Sequence, residues 1–339
     1  MAYTTINKST DYFNTKLYTG NGGTNAITGV GFQPDWVWIK NRAATEAHSL
    51  YDAVRGTQKV IYSNLTNGQA TETNGLSSFD SDGFTVGSSG AINGSSQNIA
   101  SWNWKAGGAG SSNSNGSIAS TVSANTTSGF SIVKYTNPSS GSPFTVGHGL
   151  GAAPKVIITK NLSATQTWGV WHHSIGFGKY LRLDDTAVEA SANLVTATSS
   201  TTFSSYYDHH TAGNEIIAYC FAEKKGFSNF GLYEGNGNTD GTFVFCGFRP
   251  AFVLLKGKGN TSNWGIHDSG RDPDNSVEKG LNANTTAADD TSTFMDFCSN
   301  GFKLRSSSTN RNASGQGYIY MAFAEAPLVG SNNIPATAR

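Results

Sequence analysis

The sequence reads as an all-β protein made of three tandem antiparallel β-sandwich modules of jelly-roll or lectin-like kind, and three observations lead to that reading. One phrase occurs three times: Pro34-Asp35-Trp36-Val37-Trp38-Ile39-Lys40, Pro154-Lys155-Val156-Ile157-Ile158-Thr159-Lys160 and Pro250-Ala251-Phe252-Val253-Leu254-Leu255-Lys256. Landmarks on both sides keep step with it, which marks copies of one unit rather than chance. Apolar residues alternate with period two between Asn-Gly, Asp-Gly and Gly-Ser turns, and no stretch of about ten residues carries a convincing helical period. The best helical candidate, residues 45–54, fits a strand equally well.

The modules open on a tyrosine before a turn: Tyr18-Thr19-Gly20, Tyr135-Thr136-Asn137-Pro138 and Tyr233-Glu234-Gly235. The proline phrase then reads as a strand entered from a turn, because proline cannot donate to a ladder and is tolerated at a strand's start. Trp36 and Trp38 share one face and Val37 and Ile39 the other, so this strand is central and covered on both sides. Lys40, Lys160 and Lys256 end it and are expected to carry their ammonium groups out to water. Eight residues further on stands a ring, His48, Trp168 or Trp264, in a strand closing on Asp52, His172 or Asp268. A last strand ends each module, with Ala100, Trp102 and Trp104 on one face, matched by Ile217, Tyr219 and Phe221 and by Ile319, Met321 and Phe323.

These landmarks divide the 339 residues into a first module with an N-terminal arm (1–106), a Gly/Ser/Asn linker (107–127), a second module (128–224), a third (225–326) and a C-terminal tail (327–339). Units of about a hundred residues suit domains with their own cores. Modules two and three, with almost nothing between them, are expected to form a rigid pair. Lysine plus arginine balance aspartate plus glutamate at 23 each, leaving no net field to draw a phosphate backbone or an anionic membrane, so nucleic acid and membrane are not expected partners. No apolar run approaches the roughly 20 residues that cross a bilayer, and residues 1–10 lack the pattern of a signal peptide. Cys220, Cys246 and Cys298 fall at different module positions, so no repeated bridge or metal spacing comes from them and buried thiols are expected.

Candidate sites are few. Asp80-Ser81-Asp82-Gly83 resembles part of a calcium loop but lacks its closing glutamate, which favours a hairpin turn. His172-His173 and His209-His210 are weighed as zinc ligands, yet neighbours on a strand face opposite ways, so structural histidines are expected and no metal. Asp184, Asp185, Asp208 and Glu215 could supply paired carboxylates for glycan hydrolysis, but none recurs in the sibling modules. There is no nucleophile elbow, phosphate loop or dinucleotide fingerprint, hence no catalytic residue and no cofactor is assigned. Tyr206-Tyr207-Asp208-His209-His210 stands where the siblings are small or polar, and is the candidate glycan or receptor site: ring faces stack on sugars while imidazole and carboxylate fix hydroxyls. The competing reading of that loop is a buried contact between modules or subunits.

The runs Tyr12-Phe13-Asn14-Thr15-Lys16-Leu17-Tyr18-Thr19-Gly20-Asn21-Gly22, Gly31-Phe32-Gln33-Pro34 through Asn41-Arg42, His48-Ser49-Leu50-Tyr51-Asp52 through Arg55-Gly56, Phe79-Asp80-Ser81-Asp82-Gly83 and Trp102-Asn103-Trp104-Lys105-Ala106 resemble an uncharacterised repeat domain. That domain occurs in virion proteins of marine tailed phages, often labelled tail fibre or structural protein. The likeness is close over the first module; the other two keep the strands and lose the Asn-Arg and Arg-Gly elements. The resemblance implies a place rather than a reaction: a non-enzymatic virion component, made in host bacterial cytoplasm, that contacts other virion proteins and host-surface glycan as a tail fibre. A capsid or tail decoration protein that cements neighbours is the alternative, and a polysaccharide depolymerase the third. Fibres of this kind are commonly trimers, so a homo-oligomer, and a trimer first, is expected.

Overall fold

A computed structural model describes residues 4–139, 143–206, 210–327 and 329, and these are all-β, the longest helix among them being the four-residue Gly90–Asn93. One antiparallel strand order occurs three times. In the first sheet Phe13–Thr19 pairs with Asn98–Trp104, which pairs with Trp36–Asn41, which pairs with Ser49–Asp52. The second sheet runs Phe130–Thr136, Glu215–Phe221, Val156–Asn161, Gly169–His172, and the third Ser228–Glu234, Gly317–Pro327, Phe248–Gly257, Gly265–Asp268. We call these units one, two and three. Register repeats with order: Trp36 faces Trp104 and Asp52, Val156 faces Phe221 and His172, and Phe252 faces Phe323 and Asp268. Pro34 and Pro154 lie just before their strands, whereas Pro250 sits inside a longer strand at a bulge, a place where its missing N–H costs no ladder bond.

The period-two faces settle into two kinds of core. Residues on one face of all three sheets meet in a single cluster that includes Trp36, Trp38, Trp102, Trp104, Ile158, Tyr219, Phe221, Phe252, Leu254, Met321 and Phe323. Rings stack across the units there: Trp36 lies 4.3 Å from Tyr219 at 19°, Phe13 lies 5.2 Å from Phe323, and Trp104 meets Phe252 edge-on at 5.6 Å. The opposite faces bury Val37 and Ile39, Ile157 and Cys220, and Val253 and Leu255 under outer strands of their own unit. Small three-stranded sheets form that outer layer in units one and two; in unit three it is continuous with the main sheet.

The expectation of a rigid pair joined to a first module through a linker is therefore corrected: all three units share one core. Ser111–Asn113 and Ser120–Asn125, inside the stretch read as linker, are strands of the second sheet, with Val122 opposite Val133. Its serines and threonines had suggested flexible chain, but the alternate residues Ser120, Val122 and, further on, Tyr135 opposite Ser120 are buried.

The lysines overturn a second expectation. Lys40, Lys160 and Lys256 are each 0% exposed, and each reaches into the next unit of a ring. Lys40 Nζ donates to the carbonyls of Asn41 (2.8 Å), Ala44 (3.2 Å) and, in unit three, Thr286 (3.0 Å). Lys160 Nζ donates to Gln166 O and, in unit one, to Thr66 O at 2.7 Å. Lys256 Nζ donates to Gly257 O (2.7 Å), Ser262 Oγ (3.2 Å) and, in unit two, Thr186 O (3.3 Å). Units one to three, two to one and three to two is a closed cycle, a head-to-tail interface that returns on itself within one polypeptide. A buried ammonium is tolerable because its donors find oxygen acceptors, two of them carbonyls even at Lys160; burial still pulls each lysine down to about 8.

Other contacts tie the same three junctions. The Tyr219 hydroxyl donates to Asp52 Oδ2 at 2.7 Å, Trp102 Nε1 donates to Asp268 Oδ2 at 3.0 Å, and His172 Nε2 donates to Tyr320 O at 3.2 Å. Trp168 Nε1 donates to Tyr62 O at 3.0 Å and Trp264 Nε1 to Arg182 O at 2.6 Å. The third unit loses the glycine of the Arg-Gly element, Asp272 standing in its place, but keeps the arginine and its function. Arg271, three residues after Asp268 as Arg55 is after Asp52, makes the same buried ion pair and adds Asp289 at 2.9 Å. Asp289 also pairs with Arg42 of unit one at 2.7 Å.

Candidate functional site

The exposed surface of unit two holds an open groove of about 530 Å³ lined by Gln166, Thr167, Gly178, Tyr180, Ser191, Ala192 and Asn193. Its walls are fixed by the fold. Gln166 is anchored at the ring junction, where its N–H donates to Thr66 O at 2.8 Å and its carbonyl accepts from Lys160. Its side-chain Oε1 accepts from Asn161 Nδ2 at 2.8 Å and lies 3.2 Å from His210 Nδ1. Tyr180 comes from the short ladder Lys179–Tyr180 with Ala190–Ser191, and Ala192 N donates to Gly178 O at 3.0 Å. Asn193 O accepts from Tyr206 N at 3.1 Å, so the loop leading into the candidate site begins at the groove's edge.

Of the residues singled out from the sequence, Tyr206 is half-buried beside this groove, while Tyr207, Asp208 and His209 lie outside the described residues. His210 is 3% exposed with Nε2 placed 3.2 Å from Thr159 Oγ1 and its carbonyl accepting from Asn137 Nδ2 at 2.6 Å, so it supports the loop from within rather than facing a ligand.

Phe177 is the residue that sequence reasoning missed. It is 53% exposed, in the turn that leads into the lining Gly178, and stacks on buried Trp171 with centroids 5.2 Å apart and planes 1° apart. Gly176 (φ 81°) and Gly178 (φ 73°) flank it in the left-handed region that side chains avoid, and Trp171 Nε1 holds the turn by donating to Gly176 O at 3.0 Å. The register gives its counterpart: Leu50 pairs with Ile61 as Val170 bridges Leu181, which sets Thr57 at the position of Phe177 and Val60 at that of Tyr180. The signal available in the sequence was that difference between siblings.

The other candidates are engaged in structure. Asp82 accepts from Gly29 N at 2.9 Å and Gly31 N at 2.7 Å, bonds that hold its carboxyl below the usual range, and Asp80 accepts from Thr85 Oγ1 at 2.7 Å across the hairpin. His172 and His173 do not part to opposite faces: their rings stack 5.0 Å apart, and His173 Nε2 donates to Phe230 O of unit three at 2.8 Å. His173 has left the strand for a helical turn, which removes the alternation that had been assumed. Asp184 accepts from Thr167 Oγ1 at 2.6 Å and Trp168 N at 2.9 Å, Asp185 pairs with Arg182 at 3.3 Å, and Glu215 pairs with Lys134 at 3.0 Å. Among the described residues no cluster of three or more His, Cys, Asp or Glu could hold a metal ion. Cys220 and Cys246 are buried free thiols and Cys298 is a half-buried one.

A comparison with protein families matches residues 8–327 to one described as a domain of unknown function (DUF7483), and the chain belongs to that family. The match runs through all three sheets. Neither a curated protein nor a solved structure matches the chain.

Proposed function

We propose that the chain is a non-enzymatic virion component of a tailed phage, a fibre or similar appendage that touches host-surface glycan through unit two. In this reading the three units, built on the sheets that begin at Phe13, Ser111 and Ser228, are copies of one antiparallel β-sandwich, and the particle carries the protein after its synthesis in bacterial cytoplasm. The observation that carries the glycan contact is the open groove with Tyr180, Gln166, Thr167, Ser191 and Asn193 around it, bordered by the loop that starts at Tyr206. Aromatic faces with neutral hydrogen-bonding groups beside them are the chemistry that recognises sugars. The structural duties of Asp184, Asp185 and Glu215 speak against hydrolysis by those carboxylates. The place on a virion rests on the resemblance of residues 12–22, 31–42, 48–56, 79–87 and 102–106.

The test is glycan-array binding by the purified full chain together with labelled antibody on intact particles. Binding weakened by alanine at Tyr206, Tyr207 and His209, with label at the tail, is the expected result. Binding that survives those replacements removes the loop from the site; absence of binding to any glycan removes the contact reading. Release of reducing ends from capsule or lipopolysaccharide would establish the depolymerase instead.

One observation favours the decoration alternative. Phe243 (44% exposed) and Phe245 (63% exposed) share a face of the edge strand Phe243–Phe245, where unit one carries Ala26 and Thr28 in the same register. Exposed rings on an unpaired edge suit docking to another virion protein. Label spread over the capsid lattice would select this reading.

A further inference from the structure

We infer, resting on the glycan-contact reading above, that Phe177, exposed in the turn that leads into the groove of unit two at Gly178, is a platform on which an uncharged pyranose stacks beside that groove, and that the site does not select the sulfated or carboxylated sugars of anionic polysaccharides. Two independent features lead there. The first is a prebuilt platform. An exposed phenylalanine gains nothing from folding on its open side, yet Phe177 is held rigidly by the stack on Trp171 and the two glycines with positive φ. The fold does not need a ring there, since unit one builds the equivalent turn with Thr57. One face of the ring is covered by Trp171 and the rest of its surface remains open, which is the disposition that meets the C–H face of a sugar.

The second feature is the charge of the wall. Gln166, Thr167, Tyr180, Ser191 and Asn193 offer amide and hydroxyl groups and no formal charge. The charged residues adjoining them are already partnered: Lys179 with Glu189 at 2.9 Å, Arg182 with Asp185 at 3.3 Å, and Asp184 with Thr167 Oγ1 and Trp168 N. Among the described residues, a sulfate or uronate entering the groove would lose water and find no unpaired cation to replace it, a penalty that a neutral hydroxyl escapes by exchanging one hydrogen bond for another.

Titration calorimetry of the full chain with neutral hexose oligosaccharides and with sulfated or uronate oligosaccharides tests this, repeated from about 50 mM to about 500 mM salt. The expected result is binding of a neutral ligand that changes little with salt, weakened about tenfold by Phe177→Ala and kept by Phe177→Tyr, with melting temperatures unchanged in both variants. A preference for charged glycans that collapses with salt, or neutral binding indifferent to Phe177→Ala, overturns this inference and leaves the glycan contact standing. Failure of every glycan to bind overturns the underlying reading itself.

Discussion

Replacing Trp36 by alanine discriminates a shared ring core from three independent beads. The side chain is 1% exposed and its ring partners divide between units: Trp38 at 5.8 Å and Trp104 at 4.6 Å in unit one, Tyr219 at 4.3 Å, Phe130 at 5.7 Å and Phe221 at 6.0 Å in unit two. Removing about 200 Å² of buried aromatic surface at about 25 cal/mol per Å² gives about 5 kcal/mol, at the upper end of the 3–5 kcal/mol measured for such truncations. Because the void opens into the common core, the loss is felt by every unit. Calorimetry is expected to show one transition moved down by about 5–10 °C. Hydrogen exchange is expected to lose protection in strands 36–41, 156–161 and 248–257 together. A new low-temperature transition with about a third of the enthalpy, and lost protection confined to residues 13–104, would refute the shared core.

Three more outcomes follow from the same geometry. Lys160→Met leaves the Gln166 carbonyl without its donor and the Thr66 carbonyl with only the Gln166 N–H, and is expected to cost about 1–3 kcal/mol in urea unfolding, with Lys160→Arg failing to restore it because a planar fork does not fit a pocket made for a point charge. Acidification is expected to destabilise the chain: burial holds His48 and His267 well below the ordinary imidazole value and pushes His172 down to about 3. Below about pH 6.5 the unfolded chain therefore binds protons that the folded one excludes, and each histidine removes up to about 1.4 kcal/mol per pH unit until its folded value is reached. Chemical denaturation between about pH 7 and about pH 5 measures the slope, which His172→Gln should flatten. Thiol titration of the native chain should find Cys298 reacting first, since burial raises the thiols of Cys220 and Cys246 and closes them to reagent; equal rates at all three would contradict the packing.

The face of each central strand was legible in the sequence because alternation is a property of the strand itself: Trp36 and Trp38 against Val37 and Ile39 could be separated without knowing what covers them. What covers them could not. A repeat states that copies exist and leaves open whether they string out or close, and the residues that close this ring look like surface residues one at a time. Lys40, Lys160 and Lys256 are hidden only because Thr286, Thr66 and Thr186 arrive from another unit. The fuller signal was a charged residue held in step three times at the end of a strand apolar on both faces, where a solvated lysine has no reason to stay. The strands in 107–127 were missed for a related reason, since Ser120 and Ser123 are buried against a sheet whose partner strand begins beyond them.

Threefold agreement inside one chain separates scaffold from site. Positions that keep a polar group at all three junctions, the lysines and the hydrogen-bonded set Asp52, His172 and Asp268, hold the ring and tolerate little. Positions that are exposed and break the agreement are released from that duty. Phe177 against Thr57 is the cleanest instance, because the sibling demonstrates that threonine completes the same turn. Phe177→Thr should thus leave urea unfolding within about 0.5 kcal/mol of the parent, the usual range for surface changes, while removing sugar binding. If that replacement instead destabilised the chain by several kcal/mol, Phe177 would be part of the scaffold, and the divergence between units would no longer mark the site.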